Sequence, residues 1–116
     1  MTLMDCVFCR IVAGEIPADI LYQDKDVIAF RDVHPQAPTH VLIVPKTHIP
    51  SLLQFSDEHR QLIGRLVLVA NDIAGREGVS KGGYRLSASC GSDGGQVVPH
   101  VHFHLLGGRK LDDRLG

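Results

Sequence analysis

Three histidines that alternate with apolar residues constrain the fold of this chain more than any other feature. The segment His100-Val101-His102-Phe103-His104 continues into Leu105-Leu106. Because successive side chains of a β-strand point to opposite faces, the pattern predicts a strand over 100–106, with the three imidazoles on one face and an apolar core face opposite. The polar face of a solvent-exposed edge strand usually mixes Thr, Lys and Glu. Three identical imidazoles indicate a chemical site instead.

The remaining patterns predict an α+β domain built on an antiparallel sheet. Apolar and β-branched runs between turn residues predict four further strands, at 20–23, 27–31, 41–44 and 84–88. Apolar residues recur with a helical period from Leu62 to Ala74, after the favourable N-cap residue Ser56. A short apolar segment over 6–13 predicts a first, small helix. No repeat or linker divides the chain, so the sequence predicts one domain over 1–116.

Composition and charge exclude several classes of protein. The formal net charge is −1, and no basic cluster stands out, so we expect no nucleic-acid partner. No apolar run approaches the roughly 20 residues of a membrane span. Residues 1–6 lack the basic start and the apolar stretch of a signal peptide. The three cysteines are an odd number, which does not suit a secreted disulfide framework. We therefore expect a cytoplasmic protein without a membrane partner.

A glycine-rich segment, Gly91-Ser92-Asp93-Gly94-Gly95-Gln96, lies just before the histidines. Glycines allow the sharp turns that bring backbone N–H groups close to an anion. Most glycine clusters are plain turns. Next to a predicted row of imidazoles, this one predicts a phosphate site beside a nucleophile.

The sequence at this point resembles the histidine triad, or HIT, superfamily, whose signature is three histidines alternating with hydrophobic residues and followed by two more hydrophobic residues. Other segments extend the resemblance along nearly the whole chain, namely Glu15-Ile16-Pro17, Ala29-Phe30-Arg31-Asp32, Pro35-Gln36-Ala37-Pro38-Thr39-His40, Pro45-Lys46-Thr47-His48-Ile49, Gly83-Tyr84-Arg85 and Leu106-Gly107-Gly108-Arg109. They resemble the branch of histidine triad nucleotide-binding proteins more than the dinucleoside polyphosphate hydrolases.

The resemblance implies a HIT-like α+β fold, with an antiparallel sheet of about five strands, one long helix and one short helix. It also implies a homodimer in which the sheet continues into the partner. The implied function is hydrolysis of purine nucleoside 5′-phosphoramidates through a covalent nucleotidyl-histidine intermediate. Two alternatives stay open. One is a dinucleoside polyphosphate hydrolase, and the other is a nucleotide-binding regulatory module with weak or no catalysis.

The resemblance assigns catalytic roles to the three histidines. His102 matches the nucleophile, the backbone carbonyl of His100 fixes the tautomer of His102, and His104 binds the phosphate oxygens, where it can stabilise charge as an imidazolium. Asp32 matches the residue that holds the ribose hydroxyls, and Val7 joins the wall of the base pocket. Gly95 and Gln96 match contacts to the phosphate. The implied nucleotide site consists of Phe8, Ile11, Phe30, Asp32, Val33, Ser89, Gly95, Gln96, Val97, His102 and His104.

Two positions depart from the family pattern. Similar proteins usually carry Ser or another polar residue where this chain has Val97, and that hydroxyl helps to protonate the leaving amine. They commonly carry Asn where this chain has Ser89. Both changes bear on the rate and on the range of leaving groups, because valine donates no proton and serine has a shorter reach than asparagine.

The pair Cys6-Val7-Phe8-Cys9 is a C-x-x-C motif with several meanings. A redox disulfide would require a thioredoxin-like βαβ context, which is absent here. Resemblance to bacterial members that carry this pair implies a zinc site formed by Cys6, Cys9, His48 and His100. Such a Cys₂His₂ set closes a structural site, and no cofactor is required for the chemistry. Free thiols remain the alternative. The sequence indicates no partner for His40 or His59.

Overall fold

Two helices and five strands make up the part of the chain that is described here, residues 5–114 of a computed structural model. Residues 1–4 and 115–116, at the two ends of the predicted domain, lie outside the described residues. The prediction about a signal peptide rested on residues 1–6, and most of these also lie outside the described part. The elements are α1 (Val7–Val12), β1 (Ile20–Gln23), β2 (Val27–Arg31), β3 (Thr39–Pro45), α2 (Arg60–Arg76), β4 (Tyr84–Ser87) and β5 (Phe103–Gly107). Two short 3₁₀ turns, Leu52–Gln54 and Asp57–His59, precede α2.

The five strands form one antiparallel sheet in the order β1-β2-β3-β5-β4. The central strand β3 is buried along its whole length, because both of its faces are covered. Val41 and Ile43 pack in a core with α2, whereas Leu42 and Val44 pack in a second core with α1. Since alternate residues of a strand face opposite sides, the two helices lie on opposite faces of the sheet. The predicted fold class is confirmed.

The long helix α2 is amphipathic and covers only one face of the sheet. Its buried residues recur at helical spacing, at Leu66, Val69, Ala70, Ile73 and Ala74. Neither this helix nor any other described element has the length and apolarity that a membrane-spanning helix requires.

The start of α2 differs from the prediction, because Ser56 begins a 3₁₀ turn and the α-helix begins at Arg60. The Ser56 N–H donates to Nδ1 of His59 over 2.9 Å, and the His59 N–H donates to the Ser56 carbonyl over 2.9 Å. His59 therefore does have a partner, and it closes this turn.

The bounds of β1 and β2 agree with the prediction, and β3 is longer than the predicted 41–44 at both ends. The predicted strand over 100–106 is wrong at its start, since β5 begins at Phe103 and leaves His100 and His102 before the strand. The ladder with β3 ends at Ile43 opposite Phe103. Two residues further along β3, Pro45 has no N–H to continue the ladder, and its carbonyl accepts from the His100 side chain.

Candidate active site

A cavity of about 610 Å³ lies against the α1 side of the sheet. Its lining includes Val7 and ten of the eleven residues of the nucleotide site implied by the resemblance, with Gln96 as the exception. Phe8 and Phe30 meet edge to face inside it, with ring centroids 5.7 Å apart. Such an aromatic and aliphatic wall suits a flat, mostly apolar group such as a purine base.

His102 is held in one orientation with one ring nitrogen left available. Its Nδ1 lies 2.8 Å from the backbone carbonyl oxygen of His100. A carbonyl only accepts, so Nδ1 carries the proton and the lone pair of the neutral ring is on Nε2. The ring packs edge-on against Phe8, with centroids 5.1 Å apart, and only 8% of the residue is exposed. The predicted hydrogen bond from His102 to His100 is confirmed.

His104 has a hydrogen-bond partner that the sequence did not reveal, His40 of strand β3. The Gln36 N–H donates to His40 Nδ1 over 3.0 Å, so the proton of the neutral His40 ring is on Nε2. His40 Nε2 lies 2.9 Å from His104 Nδ1 and 3.4 Å from an oxygen of Asp32. His104 Nδ1 therefore accepts, and its Nε2–H is left to donate into the cavity. These residues — Asp32, His40 and His104 — are called the relay cluster below.

Burial keeps the two imidazoles of the relay cluster neutral. Desolvation lowers the pKa of His104, and the neighbouring His102 and His40 lower it further against the opposing effect of Asp32. Desolvation also lowers the pKa of His40, again opposed by Asp32. At neutral pH, His104 is therefore a neutral donor at rest. A role as an imidazolium that stabilises charge during the reaction stays a prediction.

Asp32 contributes to both the cavity wall and the local backbone. One of its oxygens accepts from the His34 N–H over 2.8 Å, and the other faces His40. The residue also lines the cavity, as the prediction of a ribose contact requires.

The side chain of Gln96 lies outside the cavity and fastens the glycine-rich loop. Its Oε1 accepts from the Gly91 N–H over 2.9 Å, and its Nε2 donates to the Pro50 and Val98 carbonyls over 2.7 and 2.9 Å. A contact between Gln96 and a phosphate stays a prediction. All three hydrogen bonds hold the loop in place beside His102.

Two glycines of this loop could not be replaced without backbone strain in one case and a steric clash in the other. Gly95, which lines the cavity, has a φ of +81°. A Cβ built on Gly94 would lie 2.3 Å from the Cys90 carbonyl oxygen, so the backbone could not keep its course with a larger residue. The loop thus brings backbone, with no side chain in between, to the edge of the cavity.

Two valines on the cavity wall are almost fully exposed. Val97 is 89% exposed and Val33 is 83% exposed. Both line the same cavity as His102 and His104. Val97 therefore does not belong to the core of the described residues, and we expect that its replacement leaves the packing intact.

Cys6, Cys9, His48 and His100, here called the thiol cluster, are placed to bind a metal ion, since their ligand atoms all lie within 4.8 Å of one another. Cys6 Sγ is 3.3 Å from His100 Nδ1, and Cys9 Sγ is 3.3 Å from His48 Nδ1. His100 Nε2 donates to the Pro45 carbonyl over 2.8 Å, which leaves the Nδ1 lone pair directed at the thiols. Burial and the neighbouring Cys6 raise the pKa of the Cys9 thiol to about 11.

Comparisons with known proteins agree with this geometry. A family model described as the HIT domain matches residues 13–111. The chain belongs to the HIT-domain family. It is 50% identical over 111 residues to the purine nucleoside phosphoramidase of Escherichia coli K12, which covers 96% of this chain and 93% of the relative.

Two solved structures of HIT proteins superpose closely on this one. A HIT family hydrolase from Legionella pneumophila has a TM-score of 0.93 at 47% identity, covering 96% of this chain and 99% of the other. A histidine triad protein from Clostridium difficile has a TM-score of 0.94 at 44% identity, covering 99% and 100% of the two chains. This HIT protein is an enzyme of the hydrolase class.

Proposed function

We propose that this HIT hydrolase cleaves the P–N bond of purine nucleoside 5′-phosphoramidates, such as adenosine 5′-monophosphoramidate. The observation that carries the proposal is the hydrogen bond from His102 Nδ1 to the His100 carbonyl, because it leaves a neutral Nε2 available as a nucleophile. The activity named for the E. coli relative supports the same reaction.

The reaction proceeds in two displacements at phosphorus. His102 Nε2 attacks the phosphorus atom, a new P–N bond to the imidazole forms, and the original P–N bond breaks. The departing nitrogen takes up a proton and leaves as the amine. Water then attacks the nucleotidyl-imidazole, which releases the nucleoside monophosphate and a proton and restores neutral His102.

The relay cluster stabilises the charge on the phosphoryl oxygens. His104 donates its Nε2–H, and His40 fixes the tautomer that allows it to do so. Gly95 lies at the cavity edge, where its N–H donates to the Ser92 carbonyl over 3.1 Å and the absence of a side chain leaves room for a second oxygen. Asp32 accepts from the ribose hydroxyls, and Phe8 and Phe30 contact the base.

We further propose zinc as the metal of the thiol cluster. Two cysteine sulfurs and two histidine nitrogens form the donor set of a closed tetrahedral zinc site. Bound there, zinc would cross-link the segments that carry its ligands and would supply no chemistry to the reaction. Cys6 and Cys9 belong to the segment of α1, and His100 belongs to the segment of the nucleophile, so the four ligands tie the base pocket to His102. The expected homodimer and the expected cytoplasmic location also remain proposals.

The test of the proposed reaction is His102→Ala assayed on adenosine 5′-monophosphoramidate, with His59→Ala as a matched control outside the site. We expect the turnover of the first variant to fall by more than about 100-fold. A smaller loss would lie below even the lower end of what general acid–base assistance contributes, about 10²-fold. Nucleotide affinity should be retained, because the cavity walls remain. Wild-type enzyme quenched at alkaline pH during turnover should carry one nucleotidyl group on His102 by mass spectrometry. Turnover above one hundredth of wild type, with no adduct on His102, would contradict the assignment.

A further inference from the structure

A second cavity, of about 780 Å³, opens on the other side of His104. Its wall includes Arg85 of β4 and Arg109, which follows β5, together with Arg114. Asp112 is the one carboxylate among the residues that line it. Three guanidinium groups and a single carboxylate give this cavity an excess of positive charge, in a chain whose formal net charge is −1.

The charges of Arg85 and Arg109 are not neutralised by an acidic partner within residues 5–114. Arg85 donates to the backbone carbonyl of Asp112, and Arg109 donates to the carbonyls of Gln36 and Lys110, at 2.8 and 3.2 Å. A carbonyl accepts a hydrogen bond without carrying a formal charge. A guanidinium has five N–H donors, so both side chains keep donors for a further acceptor.

The cavity lined by the three arginines is here called the cationic cavity, and the cavity of about 610 Å³ that His102 lines is called the nucleotide cavity. The two share a wall. Gln36, His40, Ser89 and His104 line both of them, whereas His102 lines only the nucleotide cavity. The phosphorus atom that His102 attacks lies within reach of His104, at the wall between the two cavities. A leaving group that extends beyond its amine nitrogen can therefore reach the cavity that holds the arginines.

We infer that the cationic cavity binds an anionic group on the leaving side of the substrate, such as the carboxylate of an amino acid or the phosphate of a second nucleotide. This inference rests on the proposed function and names the substrate class for it. Guanidinium groups suit both anions, because their planar pairs of donors match carboxylate and phosphate oxygens. The apolar cavity takes the purine, and the cationic cavity selects what is attached to its phosphate.

The decisive test compares two adenosine 5′-phosphoramidates of the same size, one made with β-alanine and one with β-alaninamide. We expect the wild-type enzyme to have a kcat/KM about tenfold or more higher for the carboxylate, a preference that falls with added salt. Arg85→Gln keeps a donor for the Asp112 carbonyl but removes the charge, and should reduce the preference by about threefold to tenfold. Arg60→Gln, which removes an exposed arginine at the start of α2, is the matched control and should leave the preference unchanged.

A difference in basicity between the two amines affects wild type and variants alike. Dividing the kcat/KM preference of the wild type by that of Arg85→Gln therefore isolates the contribution of Arg85. An equal preference in wild type and in Arg85→Gln would overturn the inference, as would an Arg85→Gln variant that changes only the oligomeric state in sedimentation experiments. Diadenosine triphosphate, whose leaving group is ADP, is the second arm. An arginine-dependent rate confined to it would assign the anion as phosphate.

Binding measurements separate this inference from the proposed reaction. Calorimetry on His102→Ala compares the affinities of the two phosphoramidates without any turnover. If the wild type hydrolyses neither compound but the variant still binds the carboxylate more tightly, and Arg85→Gln removes that difference, the proposed reaction fails and the anion site stands. Equal affinities in both backgrounds would overturn the anion site, whatever the turnover.

Discussion

The thiol cluster and the relay cluster lie on either side of His102, and they use imidazoles from the same sequence motif for different purposes. His100 in the thiol cluster is fully buried, with 0% exposure, and faces two sulfurs. His104 in the relay cluster lines both cavities and faces substrate. The first cluster is closed and suited to hold structure together, whereas the second is open and suited to handle charge.

The hydrogen-bond partner of each ring accounts for this difference. The Pro45 carbonyl accepts from Nε2 of His100, which leaves Nδ1 for the thiol cluster. His40 donates to Nδ1 of His104, which leaves Nε2–H for substrate. The His100 carbonyl accepts from Nδ1 of His102, which leaves Nε2 as a lone pair. Three identical side chains thus obtain three chemical roles from the groups on their far sides.

Among the variants that test this difference between the clusters, a change in the thiol cluster should have the largest effect, and that effect is on stability. Cys6→Ser should lose the metal and lower the free energy of unfolding by about 4 kcal/mol, as expected for loss of a structural metal site. Elemental analysis and denaturant unfolding measure the two quantities, with Cys90→Ser as the control thiol. Wild-type protein prepared without chelator that contains no zinc, or a Cys6→Ser variant as stable as wild type, would contradict the structural role.

The second effect is on rate, through the relay cluster. His40→Leu removes the donor to His104 and should lower kcat by about 100-fold, roughly 2.7 kcal/mol, the cost of losing one oriented donor to a developing oxyanion. His40→Gln places an amide N–H near the position of Nε2 and should recover at least about tenfold of this loss. The zinc content of both variants should equal that of wild type.

A purely structural role for His40 predicts a different outcome. In that case Leu and Gln variants would lose rate in proportion to their loss of stability, with no advantage for Gln. Measuring kcat and denaturant unfolding on the same preparations distinguishes the two roles.

Local sequence predicted the elements better than it predicted the partners of side chains. β1 and β2 follow from their apolar runs and the charged turn between them, which is information within a dozen residues. His40 and His104 are 64 residues apart, and only the pairing of β3 with β5 brings them together. The one available signal was a lone histidine at the start of a strand that is otherwise apolar.

The roles of Gln96 and Val97 were equally beyond a reading of the sequence. A resemblance assigns Gln96 to the phosphate, but its amide is used by three backbone groups that come from separate segments. A valine between two strands suggests core packing, but Val97 is 89% exposed. Burial and hydrogen bonding in loops depend on where distant segments pass, and no local pattern reports that.

The smallest predicted effect concerns the leaving amine, for which neither cluster offers a dedicated proton donor. The thiol cluster faces away from the substrate, and His104 Nε2–H is assigned to a phosphoryl oxygen. Val97 lines the cavity where similar proteins carry a hydroxyl, and it donates nothing. The enzyme should therefore depend steeply on the basicity of the leaving group, with weakly basic arylamines leaving faster than alkylamines.

Val97→Ser places a hydroxyl at this position and should supply the proton donor to the leaving amine that neither cluster offers. We expect kcat/KM to rise about tenfold for alkylamine phosphoramidates, roughly 1.4 kcal/mol of transition-state stabilisation, and to change little for arylamine phosphoramidates. Because Val97 is almost fully exposed, the substitution should leave the free energy of unfolding unchanged. Val33→Ser, at the other exposed valine of the cavity, is the matched control for added polarity. A rise of equal size for both substrate types would mean that the position affects binding and delivers no proton to the amine.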